Sequence, residues 1–148
     1  MSVTERVRDD RLEARKARDA DRTGALTGLL AALDDAAKAA AGDLDGAAEV
    51  AVLRRERKRR AEAAASFREG GREADALREE AEGAIIEAYL PAQLSDDTLA
   101  TLVDEAIAET GATSPRDLGA VMKLVLSRAG VAADGKLVSA LVRARLGG

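Results

Sequence analysis

The segment "EAYLPAQLSDDTL", residues 87–99, divides the chain into two parts. Pro91 disfavours helical geometry at the residue before it, so the preceding helix is predicted to end there. Ser95 has the side chain of a helix N-cap, and two aspartates follow it in the first turn, where carboxylates are favourable. We therefore predict two domains, which comprise residues 1–92 and 93–148.

The chain has the composition of helices on both sides of this boundary. It is rich in Ala, Leu, Arg and Glu, has only two prolines, and lacks the alternation of apolar and polar residues that is typical of strands. The clearest periodic segment places five apolar residues on one helical face: Leu26, Leu29, Leu30, Leu33 and Ala37. We therefore predict an all-α protein, with four helices before the boundary and three after it.

The four N-terminal helices are predicted from their start and stop signals. Ser2 and Glu5 have the spacing of a capping box, which places the start of the first helix at Ser2. The second helix is predicted to stop near Gly42, the third to span residues 47–69, and the fourth to span residues 72–90. Eight residues of the third and fourth helices are expected to face the core: Val50, Leu53, Ala64, Phe67, Ala81, Ile85, Ala88 and Tyr89.

The C-terminal helices have clearer start and stop signals. Gly111 is predicted to end the fifth helix. Ser114 followed by Pro115 opens the sixth, because a proline costs nothing at the first helical position, and Gly130 closes it. Asp134 stands just before the apolar stripe of the seventh helix, where a carboxylate can accept N–H bonds from the first turn. We therefore predict that Asp134 is an N-cap.

Gly119 lies within the predicted sixth helix. A glycine in a helix costs about 1 kcal/mol relative to alanine, so its presence suggests that another helix crosses there too closely for a side chain. On that hypothesis Gly119→Leu destabilises the protein by more than helix propensity alone predicts.

No segment has a complete catalytic or metal-binding pattern. The segment "GVAADGKL", residues 130–137, has the glycine and lysine spacing of a Walker loop but ends in leucine where a hydroxyl is needed. "DLDG", residues 43–46, resembles the start of a calcium loop, but its twelfth position is Arg54. The chain has no histidine or cysteine, and acidic pairs such as Asp34 and Asp35 are interpreted as solvent-exposed. We predict no catalytic residues, no metal and no cofactor.

The charges leave two interpretations open. A net charge of −4 argues against a general nucleic-acid binder, although local clusters can still matter. The strongest cluster is "RRERKRR", residues 54–60, with six cations and one acid. It is either a solvated face paired with Glu49, Glu56 and Glu62, or a contact for RNA phosphates or an acidic protein. With only two aromatic residues, recognition by base stacking is not expected.

The N-terminal segment does not have the pattern of a membrane or secretion signal. It has charges every few residues and no apolar run, so we expect neither a signal peptide nor an anchor. No segment approaches the roughly 20 apolar residues that span a bilayer. Because the absence of cysteine favours a reducing compartment, we expect a cytoplasmic protein with no membrane partner.

Three segments of the chain carry a family resemblance. They are "EEAEGAIIEAYLPAQLSDDTL" (79–99), "GATSPRDLGAVMK" (111–123) and "GVAADGKLVSALVRARL" (130–146). Together with "KARD" (16–19), they resemble the YqeY family, free-standing relatives of the tail region of the GatB subunit of tRNA-dependent amidotransferases. The resemblance covers essentially the whole chain, although Arg57 and Ala64 stand where the family pattern has apolar residues.

The resemblance implies an N-terminal bundle of long helices followed by a small C-terminal three-helix domain. It also implies contact with tRNA, the role attributed to the GatB tail. The general label of such proteins, carbon–nitrogen ligase with glutamine as amido donor, belongs on this interpretation to the larger enzyme, whose catalytic domains this chain lacks. We therefore expect a non-catalytic module that binds tRNA or associates with an amidotransferase.

The candidate RNA-binding residues are seven cations: Lys123, Arg128, Lys136, Arg143, Arg145, Arg54 and Lys58. The alternative is a protein-interaction adaptor with no RNA role, which would use the N-terminal helices. An intrinsic enzyme is the third hypothesis.

Overall fold

The computed structural model describes residues 1–147 and forms two compact units, one ending at Leu90 and one beginning at Pro91. Within the described residues the regular structure is seven α-helices and two short 3-10 turns, so the prediction of an all-α protein is confirmed. The helices are α1 (Val3–Lys16), α2 (Ala20–Ala39), α3 (Gly46–Glu69), α4 (Glu73–Glu87), α5 (Asp96–Thr110), α6 (Leu118–Ala129) and α7 (Gly135–Leu146).

The first unit is built from two pairs of helices. α1 packs on α2 and α3 packs on α4, while α2 also contacts both α3 and α4. The four leucines of α2 are buried as predicted, whereas Ala37 is only half-buried. The core consists of Val7, Leu26, Leu29, Leu30, Leu33, Val52, Leu53, Ile86 and Tyr89.

Helix ends in this unit follow local signals with one difference. The capping box of α1 is present, because Ser2 accepts from the Glu5 N–H and donates its own N–H to the Glu5 carboxylate. Asp19 caps α2 by accepting from the Arg22 N–H at 3.0 Å. At the other end of α2 the left-handed conformation is adopted by Ala41, with φ 57°, and not by the glycine that follows it.

The burial predicted for α4 is partly wrong. Ala81 and Ala88 are exposed, and the buried residues of α4 are Ala76 and Ile86. The prediction extended the helix to residue 90, whereas it ends at Glu87. The physical reason is that alanine occurs on both sides of α4, so its apolar pattern does not distinguish the core face from the solvent face.

Tyr89 enters the core from beyond the end of α4. Its N–H donates to the Ile86 carbonyl in a tight turn, and its O–H donates to Asp10 of α1. The guanidinium of Arg6 lies 5.4 Å from the ring centroid. Burial, followed by the hydrogen bond to Asp10, raises the pKa of Tyr89 to about 12. Phe67, also expected in the core, is only half-buried.

The second unit consists of α5, α6 and α7, which all contact one another. Its core residues come from all three helices and the loop before α7: Leu99, Val103, Ala106, Val121, Val125, Ala133, Val138, Val142 and Leu146. Ser95 caps α5 by accepting from the Thr98 N–H at 3.1 Å, and Gly111 ends that helix with φ 67°. Both predictions are confirmed.

The start of α6 differs in detail from the prediction. Residues Pro115–Asp117 form a 3-10 turn, and the α-helix begins only at Leu118. The Asp117 carboxylate accepts from the N–H groups of Thr113 and Ser114 at 2.9 and 3.2 Å, which satisfies donors that the turn leaves free.

Two predictions about single residues of this unit have opposite outcomes. Asp134 caps α7 by accepting from the Lys136 N–H at 2.9 Å, so the N-cap prediction is confirmed. The prediction that another helix crosses close to Gly119 is wrong, because Gly119 is exposed and a Cβ built there would have no neighbouring atom within 4 Å. The glycine is not required by packing.

Candidate nucleic-acid interface

Two of the candidate cations lie on one exposed side of α7. Lys136 and Arg143 are both exposed, and neither forms an ion pair with any residue in the described part of the chain. They are seven residues apart, which in an α-helix places them within about 20° of each other and about 10 Å apart along the axis. We call these two residues the α7 cation pair.

Lys123 is the exposed candidate on α6. It lies two residues from each of Val121 and Val125, the buried residues of that helix. Two residues correspond to about 200° around a helix, so Lys123 points away from the core. No ion pair links it to another residue between 1 and 147.

The other two candidates of this unit are held by carboxylates of α5. The Nε of Arg145 donates to Oδ1 of Asp104 at 2.7 Å. Arg128 donates to the carboxylate of Glu109. The structure therefore separates the five C-terminal candidates into three cations without an acidic partner among residues 1–147 and two that are engaged within the unit.

The charges of the second unit are segregated by helix. α5 contains five acids and no cation, which are Asp96, Asp97, Asp104, Glu105 and Glu109. Residues 118–147 contain all five candidate cations and a single acid, Asp134, whose carboxylate is used as the cap of α7. The formal charge of the second unit is therefore positive along α6 and α7 and negative along α5.

Arg54 and Lys58 belong to the basic run in the middle of α3, in the other unit. Arg54 is half-buried, and Lys58 is exposed with its Nζ 3.8 Å from Glu62. The neighbouring cations of the run are also paired: Arg57 with Glu87, Arg59 with Glu56, and Arg60 with both Glu79 and Glu82. Most of this run therefore fits the first interpretation, a face whose charges are neutralised within the protein.

Glu49 does not pair with the basic run, which corrects the prediction for that residue. Its side chain is buried and accepts from the N–H groups of Val3 and Thr4 at 3.1 and 2.9 Å and from the Thr4 hydroxyl at 2.7 Å. Glu49 thus caps the start of α1 from the first turn of α3. Its partners lie 45 and 46 residues away in the sequence, which is why sequence reasoning did not find them.

Asp104 and Glu109 were also not recognised as partners of the candidate cations. In the sequence the only signal was the unbroken acidic character of α5 beside two basic helices. The exact pairing depends on how the three helices pack, so spacing along the chain does not reveal it.

The described residues contain neither a cluster of metal ligands nor a helix of the membrane-spanning type. Between residues 1 and 147, no three acidic side chains come together in an arrangement that could hold a metal ion. Over the same residues, no helix is both long and apolar enough to cross a membrane.

Comparison with known proteins shows the family to which the chain belongs. A family model described as "Yqey-like protein" matches residues 4–146, which include α2 to α7 completely and nearly all of α1. No curated protein matches the chain significantly. Because the match extends over nearly the whole chain, we conclude that the protein belongs to the YqeY-like family.

Proposed function

We propose that the protein is a non-catalytic module that binds tRNA through the backbone phosphates. The observation that carries the proposal is the α7 cation pair, Lys136 and Arg143, two exposed cations on one side of a helix with no carboxylate partner among residues 1–147. Cations that are not neutralised internally are available to phosphates, and their binding releases counterions from the RNA.

The recognition proposed is of backbone and shape. Residues 91–148 contain no aromatic residue, so no base can be stacked on an aromatic side chain of this unit. Lys123 on α6 is included as a third contact, because it too is exposed and unpaired within the described chain. We give these residues priority over Arg54 and Lys58 of α3, because most of that basic run is already paired.

The finer organisation of the protein is part of the same proposal. We assign residues 1–92 to an N-terminal helical bundle and residues 93–148 to a three-helix domain similar to the tail of the GatB subunit. On this proposal the protein acts in the cytoplasm with tRNA or with a tRNA-dependent amidotransferase, and any carbon–nitrogen ligase activity that uses glutamine resides in that partner.

The test is tRNA binding measured by fluorescence anisotropy at about 50 and 200 mM salt. Lys136→Ala and Arg143→Ala are each expected to weaken binding and to lower the slope of log K against log salt by about 0.7 to 0.9. Lys16→Ala is the matched control, because it removes one exposed cation that already pairs with Glu13 at 2.7 Å. The proposal is rejected if the parent does not bind at low salt, or if all three variants weaken binding equally.

A second candidate function, a protein-interaction adaptor, is favoured by one observation on α4. Four apolar residues of α4 and its C-cap, Ala88, are exposed at alternating spacings of three and four, the pattern of a helix–helix seam: Ala74, Leu77, Ala81, Ala84 and Ala88. Leu77 is 55% exposed, although it is one of the larger apolar residues of the unit. We infer that a partner on this face would present an apolar helix.

The adaptor function predicts that Leu77→Lys abolishes association with a partner recovered by crosslinking in cells, while tRNA binding is unchanged. Leu12→Lys is the control, because Leu12 is a comparably exposed leucine on α1. An equal effect of the two substitutions would argue against a specific role for α4.

A further inference from the structure

We propose that Asp104 and Glu109 of α5 set the edge of the phosphate-binding surface, by holding Arg145 and Arg128 away from RNA. This inference rests on the proposed RNA-binding function. It concerns a different set of residues from the α7 cation pair, and it assigns the acidic helix a role in limiting affinity.

The two contacts are direct and accessible. Arg145 Nε lies 2.7 Å from Oδ1 of Asp104, and the side chains of the two residues are 38% and 57% exposed. Arg128 and Glu109 form an ion pair with similar exposures of 36% and 52%. Exposed ion pairs are weak, so a phosphate that reached either arginine could compete with the carboxylate.

The position of each arginine explains why the carboxylates matter. Arg145 follows Arg143 by two residues, so the two side chains leave α7 about 200° apart. Arg143 therefore belongs to the outer side of the helix and Arg145 to the edge next to α5. Phosphate bound at that edge would lie beside Asp104, which repels it, and would have to replace Asp104 as the partner of Arg145.

Arg128 occupies the corresponding edge on α6. It lies near the end of that helix and reaches Glu109 near the end of α5. The acidic helix therefore borders the cationic surface on two sides and confines phosphate contacts to Lys123, Lys136 and Arg143. Removal of one carboxylate should free one additional cation for RNA.

The chain offers a matched control. Glu105 follows Asp104 on α5, is exposed, and forms no ion pair with any other residue from 1 to 147. Asp104→Asn and Glu105→Gln both remove one negative charge from the same helix, but only the first releases an arginine. A general effect of net charge is therefore expected from both variants, and an added phosphate contact from Asp104→Asn alone.

The experiment measures tRNA affinity of the full-length parent, Asp104→Asn, Glu109→Gln and Glu105→Gln at about 50 and 200 mM salt. We expect Asp104→Asn and Glu109→Gln to bind more tightly than Glu105→Gln at low salt. Each should also lose about threefold more affinity than the control over this salt range, which corresponds to one extra phosphate contact. The gain of Asp104→Asn should disappear when it is combined with Arg145→Ala.

The outcomes separate this inference from the proposed function. If the parent binds and the three single variants behave alike, the proposed function stands and the inference is overturned. If the parent does not bind at low salt but Asp104→Asn or Glu109→Gln does, the proposed function is rejected and so is the inference, because the parent then has no phosphate-binding surface for the carboxylates to border. If no variant binds, both are overturned. Circular dichroism of each variant checks that the helices are intact.

Discussion

The two units of the protein differ in where their charged side chains lie. In the unit that ends at Leu90, the carboxylates of Glu49 and Glu56 are buried. Ion pairs also join α3 to α4, for example from Arg60 to Glu79 and Glu82 at 3.1 and 2.9 Å. In the described part of the second unit, every buried residue is apolar and the ion pairs lie at the surface.

The difference follows from the lengths and apolar stripes of the helices. α3 has 24 residues and a central run of cations, so most of its surface cannot enter an apolar core. The core cluster of the first unit has nine residues in a segment of 90 residues. The core cluster of the second unit also has nine residues, although its segment is shorter. Long, highly charged helices need polar contacts to fix their packing, whereas short amphipathic helices are held by apolar burial. In the second unit three cations of α6 and α7, Lys123, Lys136 and Arg143, form no ion pair with any residue from 1 to 147.

Among the variants that test this comparison, we expect the largest loss of stability when the buried Glu49 carboxylate of the first unit is removed. Glu49→Ala removes the acceptor of two N–H groups and one hydroxyl at the start of α1. We expect the free energy of unfolding to fall by about 2 kcal/mol, because hydrogen bonds to a charged group are lost in a buried position. Urea unfolding measures the change.

The control for this variant is Glu62→Ala. Glu62 is exposed and only its contact with Lys58 at 3.8 Å is lost, so a change of about 0.5 kcal/mol or less is expected. Equal effects of the two substitutions would contradict the view that buried polar contacts stabilise the first unit.

Tyr89→Phe tests the polar contact between α1 and the end of α4. At pH 8 it should cost about 1 kcal/mol, because the hydrogen bond to Asp10 is lost. Tyrosine in the unfolded chain titrates near pH 10, whereas burial and Asp10 raise the pKa of Tyr89 to about 12. The fold therefore favours the protonated hydroxyl. Its stabilisation is complete below about pH 10 and is lost as the pH rises toward 12.

Thermal unfolding at several pH values checks this prediction. The difference in melting temperature between the parent and Tyr89→Phe should shrink as the pH rises from about 10 to 12. A difference that stays constant over this range would show that the hydroxyl is not held in its protonated form by the fold.

In the second unit, we expect the Asp134 cap of α7 to contribute to the free energy of unfolding about as much as one hydrogen bond does. Asp134→Ala should lower the free energy of unfolding by about 1 kcal/mol, because the first-turn N–H of Lys136 loses its acceptor. Asp134→Asn and Asp134→Ser should retain most of the stability, since each side chain still offers an oxygen. Equal losses in all three variants, measured by urea unfolding, would mean that the negative charge rather than the cap is important.

The smallest change in stability is expected from substitution of Gly119. Because a Cβ at this position meets no atom within 4 Å, Gly119→Ala should stabilise the protein through helix propensity. We expect about 0.5 kcal/mol, the lower end of the range for a helical glycine, because Gly119 is only the second residue of α6. Gly111→Ala is the contrasting control, because its φ of 67° is unfavourable for alanine and should make that variant less stable. A lower melting temperature for Gly119→Ala than for the parent would restore the idea of a close contact.

The sequence alone predicted the features that depend on neighbouring residues. The caps at Ser2, Ser95 and Asp134 each join atoms within three positions of one another, so a short pattern contains the whole interaction. The leucine face of α2 was predicted for the same reason, because a helix brings residues three and four apart onto one side.

The tertiary structure decided the features that depend on packing between distant segments. Ala81 and Ala88 face solvent because alanine is compatible with both sides of α4, and only contact with other helices selects one side. Asp104 meets Arg145 across 41 residues. The sequence by itself therefore determined the number of helices and the caps at Ser2, Ser95 and Asp134, because those interactions are local. Which cations remain available for a partner was decided by packing, because an ion pair forms only where folding brings opposite charges within a few ångströms.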